Sequence, residues 1–477
     1  MDHTKEKPLK HPHKSTRSEH WEQVWQNSSP SWGNYYHRWL QRVYAFVIPK
    51  GARVLDLGCG SGDLLASLQP GYGVGIDFAP SAIEKARTKH PGLHFEVMNA
   101  ETIDLVGEQF DFIILSDLVN DLRDVQRMLM GIRPYCHPGT RLVLNFYSHL
   151  WQIPLQVAQR FRVATPTLVQ NWLTRADMRN LLTLEGFELL HAWSEMVVPL
   201  PLPGADWFNR FLAKVFPFHW LALANFMVGR PVGTPAAGEP TCTVVVAARN
   251  EEGHIDELFD RIPELGPKTE IIFVEGNSKD DTYGAIERAM VAHPERNCRL
   301  LKQSGKGKGD AVRVGFADAT GDILMILDAD MTVLPEDLPR FYKAIVSGEG
   351  EFINGVRLVY PMEDEAMRFF NLVGNKFFAE AFSWLLGQPI RDTLCGTKVM
   401  WRNDYERLVA NRSYFGDFDP FGDFDLILGA AKLNLKILEV PIRYHSRRYG
   451  ETNISRWRHG FLLLRMVIFA SRRIKFF

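Results

Sequence analysis

The sequence predicts an α/β protein of two doubly wound domains, and three observations lead there. Short apolar runs alternate with helix-like stretches from Arg53 onward, the same rhythm starts afresh at Cys242, and "GRPVGTPAAGEP" between them concentrates Gly, Pro and Ala. A chain of 477 residues also exceeds one ordinary core, since domains run to roughly 100 to 200 residues. The expected division is a disordered arm over 1–20, a first domain over 21–230, a linker over 231–240, a second domain over 241–460 and a cationic amphipathic tail over 461–477.

Composition narrows the function classes. With 55 Lys+Arg against 56 Asp+Glu, no chain-wide field draws the protein to nucleic acid. The five cysteines are scattered and form no C-x-x-C pair, so neither a zinc site nor a disulfide framework is indicated, and a reducing, cytoplasmic setting is expected. The start, "MDHTKEKPLKHPHKSTRSEH", has no apolar core of a leader, and no run reaches the roughly 18 apolar residues of a spanning helix. The protein is expected to be soluble or peripheral at the inner face of a membrane.

In the first domain the strands are expected at "RVLDLG", "GVGID", "LHFEVM", "FDFIILSD" and "RLVLNFY", with a helix near "PSAIEKARTKH". "VLDLGCGSGD" places Gly58, Gly60 and Gly62 directly after a buried strand, where glycine permits a tight turn and close approach to a ligand. Asp77 ends the next strand, where a carboxylate can accept both hydroxyls of a ribose. Asn99 and Ala100 follow the third strand, and Ser116 and Asp117 the fourth. Over roughly residues 35 to 230 these features resemble a class I S-adenosylmethionine-dependent methyltransferase, with a Rossmann-like fold. The resemblance implies that Asp56, Gly58 and Gly60 flank the amino-acid end of S-adenosyl-L-methionine, Asp77 its ribose, and Asn99 with Ala100 its adenine. Methyl transfer needs mainly positioning, and no base stands out in the sequence. Tyr147 and His149 could meet an acceptor, or be a stacked aromatic and a surface histidine.

The second domain opens with strands expected at "CTVVVAAR", "EIIFVEG" and "DILMILDAD", separated by helices near "EEGHIDELFDRI" and "TYGAIERAMVAH". In an extended chain residues i and i+2 point the same way, so Asp328 and Asp330 are expected to aim together beyond a strand end. Two such hard oxygen ligands suit Mg²⁺ or Mn²⁺ with a diphosphate completing the sphere. An isolated D-x-D also reads as two solvated carboxylates opening a turn.

The ordered set "VVVAARNEEGHIDEL", "IIFVEGNSKDDT", "GKGDAVRVGFADATGDILMILDAD", "DTLCGTK" and "LEVPIRYHSRRYGETNIS" resembles a family-2 glycosyltransferase of the GT-A fold, nearest the dolichyl- and polyprenyl-phosphate sugar synthases. The resemblance implies a nucleotide-sugar donor held by Asn250, Glu251, Glu275 and Lys308, with Asp328 and Asp330 on metal and diphosphate. It also implies Asp392 and Gly396 at the sugar, and Arg447 at a phosphate. Two departures stand out: Glu275-Gly276 replaces a usual pair of aspartates, and Ala247-Ala248-Arg249 replaces a usual Pro-x-Tyr. In "FGDFDPFGDFDLILGAAKL", Asp423 is either a general base for a hydroxyl acceptor or an N-cap. A phosphate acceptor, already anionic, needs no base.

From Pro441 onward arginines recur against a single acid, Glu451, and "RWRHGFLLLRMVIFASRRIKFF" interleaves them with apolar residues. That pattern suits a helix in a headgroup layer, or simply core, and the same holds for residues 366–387. The expected function is a bifunctional transferase: metal-dependent, inverting sugar transfer to a polyprenyl-phosphate or saccharide acceptor, plus methyl transfer. The alternatives are a glycosyltransferase carrying an inert methyltransferase-like domain, and a non-enzymatic sugar-nucleotide-binding scaffold at the membrane.

Overall fold

The structure, a computed structural model, describes residues 13–27, 33–161, 167–357, 369–412, 423–445 and 456–477. The chain divides into two compact units, Met1–Pro231 and Val232–Phe477.

Unit 1 carries strands β1 (Arg53–Leu57), β2 (Tyr72–Asp77), β3 (His94–Val97), β4 (Phe110–Ser116), β5 (Cys136–Tyr147), β6 (Phe187–Glu195) and β7 (Ala224–Pro231). They form one sheet in the order β3-β2-β1-β4-β5-β7-β6, parallel except for β7. In β1 everything after Arg53 is buried, as a parallel strand covered on both faces requires. From β1 the chain steps to β2 on one side and later to β4 on the other. The crevice at that reversal, beyond the carboxyl ends of the strands, is where such sheets bind ligands.

Helices are fixed by caps as well as by apolar faces. Asp124 accepts the Arg127 N–H at 2.9 Å to start helix Val125–Ile132, whose Val125, Met128, Leu129 and Ile132 are buried. Thr174 and Asp177 form a reciprocal capping box on helix Arg175–Leu184, a device typically worth about 1 kcal/mol. One expectation needs correcting: residues 13–20, expected within a disordered arm, lie in helix His13–Asn27.

Unit 2 carries β8 (Cys242–Ala248), β9 (Thr269–Glu275), β10 (Asn297–Lys302), β11 (Ile323–Asp328), β12 (Phe352–Val356), β13 (Lys398–Trp401) and β14 (Ile437–Pro441). The sheet order is β10-β9-β8-β11-β13-β12-β14, with β13 antiparallel to both neighbours. Its core lies on both faces. One layer includes Phe259 stacked on Phe273 at 5.0 Å, and the other Phe316, Phe382, Phe424 and Ile427. Helix Lys308–Asp318 sits directly on the sheet, because a Cβ on Gly315 would come within 2.4 Å of the Val245 side chain. That close seat delivers Lys308, its first residue, to the carboxyl edge of β8 and β11.

Helix Arg456–Ala470 buries Leu463, Met466 and Ala470 in the same core and leaves Phe461, Leu464 and Ile468 exposed. No described helix is long and apolar enough to cross a membrane.

Candidate functional site

Each unit gathers polar groups at the carboxyl edge of its sheet. In unit 1, Gly58 and Gly60 hold φ of 72° and 53°, left-handed backbone that glycine adopts without a Cβ penalty. The Gly58 and Cys59 N–H groups donate to the Ile76 carbonyl at 2.8 and 3.0 Å, which folds the loop against β2. Asp77 then binds the loop from the end of β2. Its carboxylate accepts the Gly60 N–H at 3.1 Å and the Ala79 N–H at 2.9 Å.

Asp56 is 1% exposed, and neither carboxylate oxygen has a hydrogen-bond partner. Burial, with Asp77 nearby as a second cause, pushes its carboxyl up to about 8. An orphaned buried carboxylate beside a glycine turn fits the cationic amino group of S-adenosylmethionine. The Asn99 side-chain oxygen accepts the Glu101 N–H at 2.9 Å, and Ala100 is buried.

The loop after β4 holds a cluster that sequence spacing does not reveal. Asp117 adopts φ 54°, uncommon for a residue with a Cβ. Its carboxylate accepts from the Tyr36 hydroxyl at 2.7 Å and the Asn145 amide at 2.5 Å, and the Tyr147 side chain also bonds to it. The Tyr44 hydroxyl donates to Asn145 Oδ1 at 2.8 Å. Burial raises Asp117 to about 6 despite these donors. The next residue, Leu118, lies over Gly58, 3.0 Å from where a Cβ would stand. Asp117 therefore adjoins the glycine loop. His149 is exposed at the start of a short helical turn and takes no part in this cluster.

In unit 2, Lys308 Nζ pairs with Asp328 Oδ1 at 2.5 Å. Both side chains back onto Gly396, where a Cβ would stand 2.0 Å from Asp328 Oδ2 and 2.1 Å from Lys308 Nζ. A side chain there would force the pair to shift. β11 ends at Asp328, so Asp330 lies in a turn rather than in extended chain, and its carboxylate accepts the Thr332 N–H at 3.2 Å and hydroxyl at 2.7 Å. Asp330 thus follows Asp328 from within a turn rather than by strand alternation, and both carboxylates lie close enough to Tyr444 to act on its hydroxyl. The His445 N–H donates to the Thr332 carbonyl at 3.1 Å, which brings the segment after β14 beside this turn.

The other expected donor residues divide. Asn250 (φ 58°) accepts the Lys279 N–H at 2.7 Å, and Glu275 accepts the Ser278 N–H at 2.5 Å, so the loops after β8 and β9 are laced together. Glu251 is buried, and its carboxylate meets His254 Nδ1 at 3.0 Å. Asp392 is buried against Arg357 in a two-point contact of 2.7 and 2.9 Å. Burial pushes its carboxyl up, but the guanidinium and the backbone N–H groups of Arg357 and Leu394 together hold it below its usual range. The Arg357 guanidinium also lies 5.0 Å over the Tyr444 ring. Glu251 and Asp392 therefore act inside the protein in this structure.

Arg447 lies outside the described residues, and Asp423 is described only as the first residue of helix Asp423–Lys432. Among the described residues no group of three His, Cys, Asp or Glu could hold a metal. Asp328 and Asp330 suit a hard cation whose remaining ligands come from a diphosphate and water.

Residues 243–408 match Glycosyl transferase family 2, and residues 48–186 match a Methyltransferase domain family. The chain joins a methyltransferase domain to a family-2 glycosyltransferase domain. The fold class is the expected α/β one, each domain built on a seven-stranded, mostly parallel sheet. Three curated relatives align with close to half of this chain. The low-salt glycan biosynthesis hexosyltransferase Agl6 of Haloferax volcanii is 28% identical over 230 residues, 46% of this chain and 52% of the relative. The dolichol-phosphate mannosyltransferase of Pyrococcus furiosus is 28% identical over 218 residues, 44% of this chain and 58% of the relative. An undecaprenyl-phosphate 4-deoxy-4-formamido-L-arabinose transferase of Klebsiella pneumoniae is 24% identical over 217 residues, 45% and 62% respectively. The chain thus spans between half and two thirds of the length of these relatives.

Sequence spacing misses Arg357, Tyr36 and Asn145. Their partners lie 35, 81 and 28 residues away, and no local pattern marks contacts of that kind.

Proposed function

We propose that the chain is a bifunctional transferase, moving a sugar from a nucleotide-sugar donor to a polyprenyl-phosphate or saccharide acceptor and a methyl group from S-adenosylmethionine to a second acceptor. The observation that carries the sugar-transfer reading is the Lys308–Asp328 pair pressed against Gly396 at the strand edge. A cation beside a carboxylate at the strand edge offers partners for an anionic donor group and for a cation at one point. Lys308 neutralises charge on the departing diphosphate, and Asp328 and Asp330 would hold Mg²⁺ or Mn²⁺. When bound, such a metal would supply Lewis-acid stabilisation of the leaving group. Transfer then proceeds by one displacement with inversion. Relatives named for dolichol- and undecaprenyl-phosphate support a lipid phosphate as acceptor, for which Arg447 is the proposed contact and the tail a peripheral membrane contact. A hydroxyl acceptor would instead need Asp423 as base. Release of nucleoside diphosphate from uridine- and guanosine-diphosphate sugars, with Mn²⁺ and with or without polyprenyl phosphate, tests this reading. No release with any donor would overturn it.

For methyl transfer, Asp56 receives the cofactor's amino group, Asp77 its ribose, and Asn99 with Ala100 the adenine. Asp117 takes the proton of an incoming hydroxyl or amine, with Tyr36 and Tyr147 orienting its carboxylate. Asp117→Asn is expected to lower methyl transfer by about 10² to 10⁴ while S-adenosylhomocysteine affinity stays within twofold of wild type. Equal loss of both would make the cluster structural.

Asp56 also gives a proton-linked prediction. Its folded value near 8 keeps it protonated at pH 7 in the free protein. Pairing with an ammonium favours the carboxylate, so S-adenosylhomocysteine binding at pH 7 should release about one proton. Calorimetry in buffers of different ionisation enthalpy measures this, and zero release would mean that the amino group lies elsewhere. The same sign makes the free methyltransferase domain less stable as pH rises through about 8.

A further inference from the structure

Helix His13–Asn27 has few apolar residues, Trp21, Val24 and Trp25, and a segment of this composition has little reason to fold alone. Its position is set by polar ties to two sides of the methyltransferase cleft. On the loop after β4, Asp121 accepts from the Trp21 indole N–H at 2.6 Å and pairs with Arg17 at 3.6 Å. On helix Pro80–Lys89, which follows β2, the Ser81 N–H donates to Glu22 at 3.2 Å and Lys85 Nζ donates to the Trp25 carbonyl. The glycine loop that follows β1 lies between these anchors. There Trp25 bears on the loop itself, since a Cβ on Gly60 would meet its indole at 2.6 Å.

A strand order of β2-β1-β4 places the two anchors on opposite sides of the glycine loop, so the helix bridges the crevice where the ligand binds. We propose that helix His13–Asn27 is the outer wall of the cofactor site, with Trp25 lying against bound S-adenosylmethionine or its product and the Trp21–Asp121 and Glu22–Ser81 contacts holding the wall shut. Cofactor enters and leaves when the helix detaches. A wall of this kind excludes water from the cofactor and slows product release. This rests on the S-adenosylmethionine reading of unit 1, and adds a binding element supplied by residues that precede the matched methyltransferase region, 48–186.

The test uses the full chain and S-adenosylhomocysteine as probe, with affinity from calorimetry and release rate from stopped-flow tryptophan fluorescence. Trp25→Ala should weaken binding about tenfold or more, because a large aromatic contact is lost. Trp21→Phe keeps a ring in place and removes only the N–H bond to Asp121, so it should raise the release rate several-fold with an unchanged melting curve. Wild-type affinity and release in both variants would overturn the proposal. Tighter binding by Trp25→Ala would also overturn it, by making the indole an obstruction rather than a wall. Failure of the unaltered chain to bind the probe would instead remove the S-adenosylmethionine reading on which the wall depends.

Discussion

Gly396→Ala should cut sugar transfer by at least about a hundredfold and leave the methyltransferase domain untouched. The added methyl would stand 2.0 Å from Asp328 Oδ2 and 2.1 Å from Lys308 Nζ, well inside van der Waals contact. Asp328 sits at the end of a central strand whose preceding residues are buried, so its backbone has little freedom to retreat. The pair must separate instead, and the carboxylate and ammonium proposed to face the donor diphosphate leave their places together. Misplacement by about 1 Å is enough for a loss of this size. Donor affinity and turnover should fall in parallel, while S-adenosylhomocysteine affinity stays at the wild-type value. A Gly396→Ala protein with full turnover would show that the Lys308–Asp328 pair is not at the reacting centre.

Arg357→Met should destabilise the glycosyltransferase domain by about 3–5 kcal/mol. Asp392 is buried at 1% exposure and its two oxygens meet the Arg357 guanidinium at 2.7 and 2.9 Å. Backbone N–H groups of Arg357 and Leu394 donate at 3.1 and 3.0 Å, but they replace only part of the lost charge. The variant would keep a buried carboxylate without its counter-ion. Replacing both partners, as Arg357→Met with Asp392→Leu, should recover much of the loss, since the penalty comes from the charge left behind. The pH dependence has a definite sign. In the wild type the folded Asp392 value is depressed, so its stabilisation is present above the unfolded carboxylate value and is lost as pH falls through the folded one. In Arg357→Met the depression is gone and burial favours protonation, so the variant should lose less than wild type on acidification. Urea denaturation followed by far-UV circular dichroism at pH 7 and at pH 4 measures both effects, and an unchanged midpoint at pH 7 would make the pair energetically idle.

The strands were legible because both sheets are mostly parallel and covered on two faces. "VVVAA" and "ILMIL" read as apolar runs for that reason, and "RVLDL" is apolar after Arg53 except at Asp56. Glycines at 58 and 60 were legible because each occupies left-handed backbone, and Asp77 because it ends the strand beside them. Helix His13–Asn27 was not, since ties to Asp121, Ser81 and Lys85 hold it rather than an apolar stripe of its own. For Asp330 only the backbone differs from expectation, since it lies in a turn and not in extended chain. Glu251 and Asp392 carry the residue types of a binding site, yet His254 and Arg357 take up their carboxylates. Such pairing depends on which side chains the fold brings together, which spacing along the chain does not encode.

The central claim is that one chain carries two separate transferase sites, only one of which uses a metal. The most direct measurement follows nucleoside diphosphate release and S-adenosylhomocysteine affinity on the same preparation, before and after EDTA. The expected result is that chelation stops sugar transfer, Mn²⁺ restores it, and the affinity does not change. Sugar transfer that persists in EDTA, or affinity that falls with it, would contradict the account.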